Sequence, residues 1–206
     1  MPAEVLLATR NPDKLAELRR ILADVQPDLR VIGLDDAMPY EDAPETGATF
    51  ADNAVTKAQV GAEATGLITV ADDSGLGVDA LNGMPGVLSA RWSGRHGDDA
   101  ANLRLLLDQI VDVPDGRRGA AFVCAAALAT PDGGQVVVEG RMTGRLVRQP
   151  RGHNGFGYDP IFVADGKTMT NGELPPAEKD AISHRGKAMR AIAPHIVQAV
   201  AQNLSQ

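Results

Sequence analysis

The apolar positions of the chain switch between two periods. Glu4 to Thr9 carries Val5-Leu6-Leu7-Ala8, a short unbroken run that predicts a buried strand. Asn11-Pro12 follows, a good N-cap and then a proline suited to the first helical position. Leu15, Leu18, Ile21 and Leu22 recur at helical spacing, so a helix is expected to about Ala23. Residues 35–48, with Asp35, Asp36, Pro39, Asp42, Pro44 and Gly47, are turn-rich and show no strand period. Thr49 with Asp52 forms a capping-box start, after which Phe50, Ala54, Ala58 and Gly61 share one helical face. Leu67-Ile68-Thr69-Val70-Ala71 predicts another buried strand, ending at Asp72-Asp73-Ser74-Gly75.

Asn82-Gly83 and Pro85-Gly86 mark turns. Asp98 or Asp99 can cap a helix with Leu103, Leu106, Leu107 and Ile110 on one face. Ala120 to Thr130 reads as a buried strand, Pro131-Asp132-Gly133-Gly134 as a hairpin turn, and Gln135–Arg141 and Thr143–Val147 as the next strands. Ser183 is placed to cap a final helix carrying Ala188, Met189 and Ile192, with Pro194 kinking that helix or starting another. Strand–helix–strand order implies parallel pairing and the hairpin implies antiparallel pairing. The expected fold class is therefore α/β, a mixed sheet flanked by helices.

Composition narrows the function. With 206 residues and 44% hydrophobic content the chain can bury a substantial core, but aromatics are only 3%, so Ala, Val, Leu and Ile must fill it. A single domain over 1–206 is expected. The formal net charge of −7 argues against a general nucleic-acid binder, while local basic groups still allow a small anionic ligand. Cys124 is the single cysteine, so no intrachain disulfide forms, and its apolar neighbours make it a core residue. No apolar run is long enough to span a membrane and no leader precedes the first strand, which predicts a cytoplasmic protein.

Three stretches carry candidate chemistry. Thr9, Arg10, Asn11 and Lys14 surround a predicted helix N-terminus, where free N–H groups and basic side chains favour anions; helix capping by Asn11 would explain the same residues. Asp72 and Asp73 repel one another, and a divalent cation would relieve that repulsion; Asp, Ser and Gly also form solvated turns. In a strand the two aspartates point to opposite faces, so one of them faces any given site. Asn53 and Lys57, four apart, share a helical face, where Lys57 is either functional or a solvated surface lysine. In RQPRGHNGFGYDP, a Gly-rich loop ending in Phe156 and Tyr158 could stack a flat base, with Asp159 accepting from its edge; a packed surface loop is the alternative. Arg185, beside His184 in the first turn of the last helix, opposes the helix dipole, which weakens a purely structural role.

ATRNPDKLAEL, ETGATFADNAVTKA, ADDSGLGVDALNGMPGVLSARWSG, GFGYDPIF and EKDAISHRGKAM occur in the order found in the inosine/xanthosine triphosphate pyrophosphatases, which the chain resembles from about Ala8 to Met189. That resemblance implies an elongated mixed sheet, two lobes with a central active-site cleft, and a homodimer. It implies hydrolysis of ITP, dITP and XTP between the α- and β-phosphates, a house-cleaning activity that keeps non-standard purines out of DNA and RNA, with Mg²⁺ as cofactor. By matching residues, Thr9, Arg10, Asn11, Pro12, Asp13 and Lys14 correspond to a triphosphate loop, and Lys57 to a phosphate-binding lysine. Asp73 corresponds to the catalytic carboxylate and metal ligand, and Ser74 to a substrate contact. Phe156, Gly157, Tyr158 and Asp159 correspond to the base loop, and Lys179, His184 and Arg185 to later substrate contacts. Arg10 replaces the usual Gly or Ser. Pro44 stands where many members have a metal-binding glutamate, so either Glu45 is a ligand or the metal relies on Asp73, phosphate and water. A non-catalytic nucleotide sensor and a phosphatase releasing only the terminal phosphate are the competing classes.

Overall fold

The computed structural model of the chain describes residues 3–23 and 26–203; of Asp13 it describes the backbone, and the side chain lies outside the described part. The strands are β1 (Glu4–Leu7), β2 (Arg30–Ile32), β3 (Ile68–Val78), β4 (Gly119–Ala129), β5 (Gln135–Leu146) and β6 (Phe162–Ala164). They form one six-stranded sheet in the order β2-β1-β3-β4-β5-β6. β1 pairs in parallel with β2 and β3, and β5 pairs antiparallel with β6, so the sheet is mixed. The helices are α1 (Pro12–Ala23), α2 (Phe50–Thr65), α3 (Asp99–Gln109), α4 (Pro176–Ile182) and α5 (His184–Asn203). The expected α/β class with a mixed, helix-flanked sheet is the observed one.

The chain divides into two compact units: Met1–Asp73 with Cys124–Gly140 and Gly186–Gln206, and Ser74–Val123 with Arg141–Arg185. In the first, side-chain alternation along the strands sorts the core into two faces. Ile68 and Val70 of β3 and Cys124, Ala126 and Leu128 of β4 bury with Leu18 and Leu22 of α1 and Met189, Ile192 and Ile196 of α5. The intervening residues Ala71, Ala125, Ala127 and Ala129 pack instead on Ala54, Ala58 and Ala62 of α2. Each fully buried leucine contributes about 1.5–3 kcal/mol; the alanine face contributes less per residue but permits close approach. The capping box holds the start of α2: Thr49 Oγ1 accepts from the Asp52 N–H at 3.1 Å and Asp52 Oδ2 from the Thr49 N–H at 2.9 Å. Gly66, in the left-handed conformation at φ 69°, ends it.

The second unit buries Leu76, Val78, Leu106, Ile110, Phe122, Met142, Ile161 and Phe162 in one cluster. Phe122 and Phe162 meet with ring centroids 4.8 Å apart. Arg118 is buried at 2% exposure within this unit. Its guanidinium donates to the carbonyls of Leu146 at 3.0 Å, Ile110 at 2.8 Å and Val147 at 3.3 Å, tying the end of α3 to the end of β5. Burial draws its proton affinity below the ordinary arginine value, with nearby Arg148 acting in the same sense.

Several expectations need correction. The second predicted strand does not end at the aspartate pair: β3 runs from Ile68 to Val78 straight through Asp72 and Asp73. The polar Asp-Asp-Ser-Gly string imitates a turn because turn composition and a strand with neutralised charges look alike in one dimension. The two strands expected around Met142 are the single strand β5. β2, β6 and α4 lacked the length for a readable period. Pro194 lies inside α5 and neither ends it nor begins another helix. Arg118→Met keeps volume but strands three carbonyls. We expect it to lower stability by about 2–4 kcal/mol, measured as a fall in the chemical denaturation midpoint.

Candidate active site

The loop between β1 and α1 is built by short-range hydrogen bonds. Thr9 Oγ1 accepts from the Asn11 N–H at 3.1 Å, and Asn11 Oδ1 accepts from the Lys14 N–H at 3.3 Å, capping α1. Pro12 takes the first helical position. Arg10 is exposed and ion-paired to Asp42. Lys14 leaves this loop: its Nζ donates to both oxygens of Asp72, at 2.9 and 2.8 Å. Asp72 is 4% exposed, so this is a buried, charge-assisted pair. The Cys124 thiol lies 3.8 Å from Asp72 Oδ2 on the same face.

Asp73 points to the other face of β3, as alternation requires. There α2 supplies its partners. Asn53 Nδ2 donates to Asp73 Oδ2 at 2.8 Å, and Lys57 Nζ lies 3.7 Å from Asp73 Oδ1. Lys57 also pairs with Glu45, so the carboxylate beside Pro44 is brought to the same ammonium as Asp73. Among the described residues no group of three or more His, Cys, Asp or Glu side chains could hold a metal ion; the oxygen donors here are Asp73 and Glu45.

In the second unit the Gly-rich loop is organised by the Asp159 carboxylate, itself 3% exposed. It accepts from the Phe156 N–H at 2.9 Å, from Asn171 Nδ2 at 3.1 Å and from Lys179 Nζ. Gly157 N donates to Asp99 Oδ2 at 2.8 Å, anchoring the loop to the first turn of α3. Tyr158 is buried and donates its phenol to the Ser89 carbonyl at 2.9 Å; burial, helped by Asp99, pushes the phenol well above its usual range and keeps that proton in place. Phe156 is 62% exposed, with Lys179 Nζ 5.1 Å from its ring centroid. A cavity of about 530 Å³ beside it is lined by Asp99, Leu103, Arg104, His153, Asn154 and Phe156 among others. The first unit has a larger cavity of about 1090 Å³ near Gly66, Thr130 and His195, which includes none of the expected site residues. His184 stacks on Phe122, centroids 5.0 Å apart and planes 15° apart. Arg185 and Ser74 are half-buried.

Residues 5–195 match the Ham1 family. The chain belongs to the Ham1 family. The dITP/XTP pyrophosphatase of Nocardia farcinica is 63% identical over 193 residues, 93% of this chain and 94% of that protein. The crystal structure of the nucleoside-triphosphatase, dITP/XTP pyrophosphatase, from Mycobacterium abscessus superposes with a TM-score of 0.79 at 62% identity, covering 93% of this chain and 99% of that one. A HAM1 protein from Coxiella burnetii superposes with a TM-score of 0.88 at 39% identity, covering 95% and 99%.

In this Ham1 chain the expected residues fall into two groups, one within each unit. Thr9 to Lys14, Lys57, Asp73 and Glu45 lie in the first, and Ser74, Phe156 to Asp159, Lys179, His184 and Arg185 in the second. Sequence reasoning named Asn53 only as a neighbour of Lys57 on one helical face and Asp99 only as a possible helix cap, and it passed over Asp72 as the partner of Lys14 and over Asn171. The one signal available was Asn53, a poor helix former placed one turn before Lys57. Gly155 is fixed by the loop itself: it has φ +73°, and a Cβ there would lie 2.1 Å from Asp159 Oδ2. Gly155→Ala combines that overlap with left-handed strain of about 1–3 kcal/mol. It is expected to lower the melting temperature by several degrees, read by differential scanning calorimetry.

Proposed function

We propose that this chain hydrolyses non-standard purine nucleoside triphosphates, dITP, XTP and ITP, to the nucleoside monophosphate and pyrophosphate. The observation that carries this reading is the strand β3, where adjacent carboxylates are each matched by a lysine from a different helix. Phosphate chemistry of this kind depends on positioned charge more than on covalent intermediates. Membership of the Ham1 family and the names of the relatives above support the substrate class.

In this proposal Thr9, Arg10, Asn11, Pro12, Asp13 and Lys14 cradle the triphosphate at the start of α1, where N–H groups favour anions. Lys57 neutralises charge on the phosphates as they separate. Asp73 is the catalytic carboxylate that orients or deprotonates the attacking water. Its donor set fits a hard divalent cation. Asp73 and Glu45 both offer oxygen around one positive centre, Lys57, and Mg²⁺ needs only one or two carboxylates when substrate phosphates complete its shell. Held by Asp73, with Glu45 as the further candidate, Mg²⁺ would supply charge neutralisation at the phosphates.

Base recognition is assigned to the second unit. Phe156 is the stacking surface, because it is exposed while Tyr158 is buried as an anchor. Asp159 spends its oxygens on Phe156, Asn171 and Lys179, so it orders the loop. Ser74 and Lys179 contribute further substrate contacts. His184 and Arg185 are the donors to the 6-oxo group of hypoxanthine and xanthine, leaving an unmatched donor opposite the 6-amino group of adenine. The whole chain then works as one catalytic domain, as a cytoplasmic homodimer on free nucleotides. The net charge of −7 weighs against nucleic acid as substrate, and no described helix is long and apolar enough to cross a membrane.

Product analysis with ITP and Mg²⁺ tests the reaction. Inosine monophosphate with pyrophosphate is expected; inosine diphosphate would make the chain a terminal phosphatase, and no turnover would make it a sensor. Asp73→Asn removes one charge at nearly constant shape and is expected to cut kcat by about two orders of magnitude or more. Asp72→Asn, which loosens Lys14, should cost less in kcat. For base choice, dITP, XTP and ITP should exceed ATP, GTP and pyrimidine triphosphates in kcat/KM, with discrimination against ATP of ~10²-fold. Arg185→Ala should compress the ITP/ATP ratio, whereas Lys57→Ala should slow both about equally. An unchanged ratio in Arg185→Ala would leave base choice to the Phe156 loop.

A further inference from the structure

Asn53 lies at the fourth position of α2 and is 2% exposed, a buried amide in a helix whose neighbouring contacts are alanines. Its two polar atoms are committed in opposite directions. Nδ2 donates to Asp73 Oδ2 at 2.8 Å, and Oδ1 accepts from the Gly47 N–H at 2.7 Å. A carboxylate only accepts and an N–H only donates, so the amide has one admissible orientation. Gly47 comes this close because it lacks a side chain: a Cβ would lie 2.7 Å from Asn53 Oδ1 and 2.6 Å from Asp52 Cβ. Gly47 belongs to the same turn-rich segment as Glu45, two residues before it.

We propose that Asn53 is a positioning residue for Asp73: it fixes the rotation of the carboxylate by holding Oδ2, which turns Oδ1 toward Lys57, and it ties that orientation to the Glu45–Gly47 segment through the Gly47 N–H. The inference rests on the reading of Asp73 as the catalytic carboxylate. Without Asn53 the carboxylate can rotate about its terminal torsion, which is broad for aspartate. With it, the torsion is set by a helix rigidly seated on the sheet. Asn53 touches neither substrate nor water in this scheme and works only through Asp73.

Two variants separate its contacts. Asn53→Asp keeps the acceptor for Gly47 but replaces the donor to Asp73 with a second carboxylate that repels it, and Asn53→Leu loses both contacts at similar volume. Each is expected to lower kcat on ITP by ~10–100-fold, the range usual for removing a group that orients a reacting side chain, with KM changed by less than about threefold. The decisive measurement is a double-mutant cycle with Asp73→Asn. If Asn53 acts through Asp73, then Asn53→Leu, which cannot re-form the hydrogen bond, combined with Asp73→Asn is no slower than Asp73→Asn alone. Multiplying effects would overturn the proposal, since a merely structural amide would damage the Asp73→Asn enzyme as much as the parent. Asn53→Asp with kcat within twofold of the parent would overturn it as well, even if Asn53→Leu fails to fold. If Asp73→Asn itself keeps its turnover, the assignment of Asp73 fails, and the positioning role fails with it.

Discussion

The structure depends on how two neighbouring carboxylates are accommodated in the middle of a buried strand. Asp72 and Asp73 are consecutive in β3, so their side chains leave on opposite faces of the sheet. Each face must then supply its own positive charge, because an unpaired buried carboxylate is strongly unfavourable. Lys14 comes from α1 on one side and Lys57 from α2 on the other. The two strand–helix units flanking β3 are therefore fixed electrostatically as well as by packing. The lysines expected to meet phosphate are the ones already facing carboxylates. On the proposed reading, an incoming polyphosphate would enter a place where charge has been balanced rather than accumulated.

The second unit repeats the device at smaller scale. Asp159 is buried and its oxygens are filled by Lys179, Asn171 and a backbone N–H. What differs is the purpose of the saturation. At Asp73 the charge stands beside Lys57 and Glu45, the groups proposed to carry the chemistry. At Asp159 the charge is consumed in shaping a loop, and the product of that shaping is an aromatic ring left in the open. Tyr158, two residues further on, is driven inward and locked to the Ser89 carbonyl. Two aromatics of one glycine-rich segment thus have opposite fates, and the buried one is the one whose hydroxyl has a partner inside.

Much of this was readable from residues alone. Helix starts were legible where capping chemistry is local: Asn11-Pro12 and the Thr49–Asp52 box both stand at observed helix beginnings. The opposite facing of Asp72 and Asp73 followed from strand geometry. The extent of β3 was not legible, because whether a carboxylate pair tolerates a strand depends on lysines far away in sequence: the Lys14–Asp72 contact spans 58 residues. Asn53 was visible only as a neighbour of Lys57 on one helical face, since its two partners come from a loop and from a strand. Short elements such as β2 and β6, three residues each, exist through pairing alone and carry no period of their own.

The alanine face between α2 and the sheet acts as a spacer of fixed thickness. Ala54, Ala58 and Ala62 meet Ala71, Ala125, Ala127 and Ala129, and a Cβ on Gly61 would already fall 2.7 Å from Thr69 Cγ2. The helix therefore rides closer to the strands than leucine or isoleucine would permit. Asparagine is a short side chain, and it spans the gap to Asp73 only at this height. A methyl group added at Gly61 would require something there to give way, and the helix that carries Asn53 and Lys57 is what it would press on. The size of side chains that never meet a substrate thus acts as the calliper for those expected to do so.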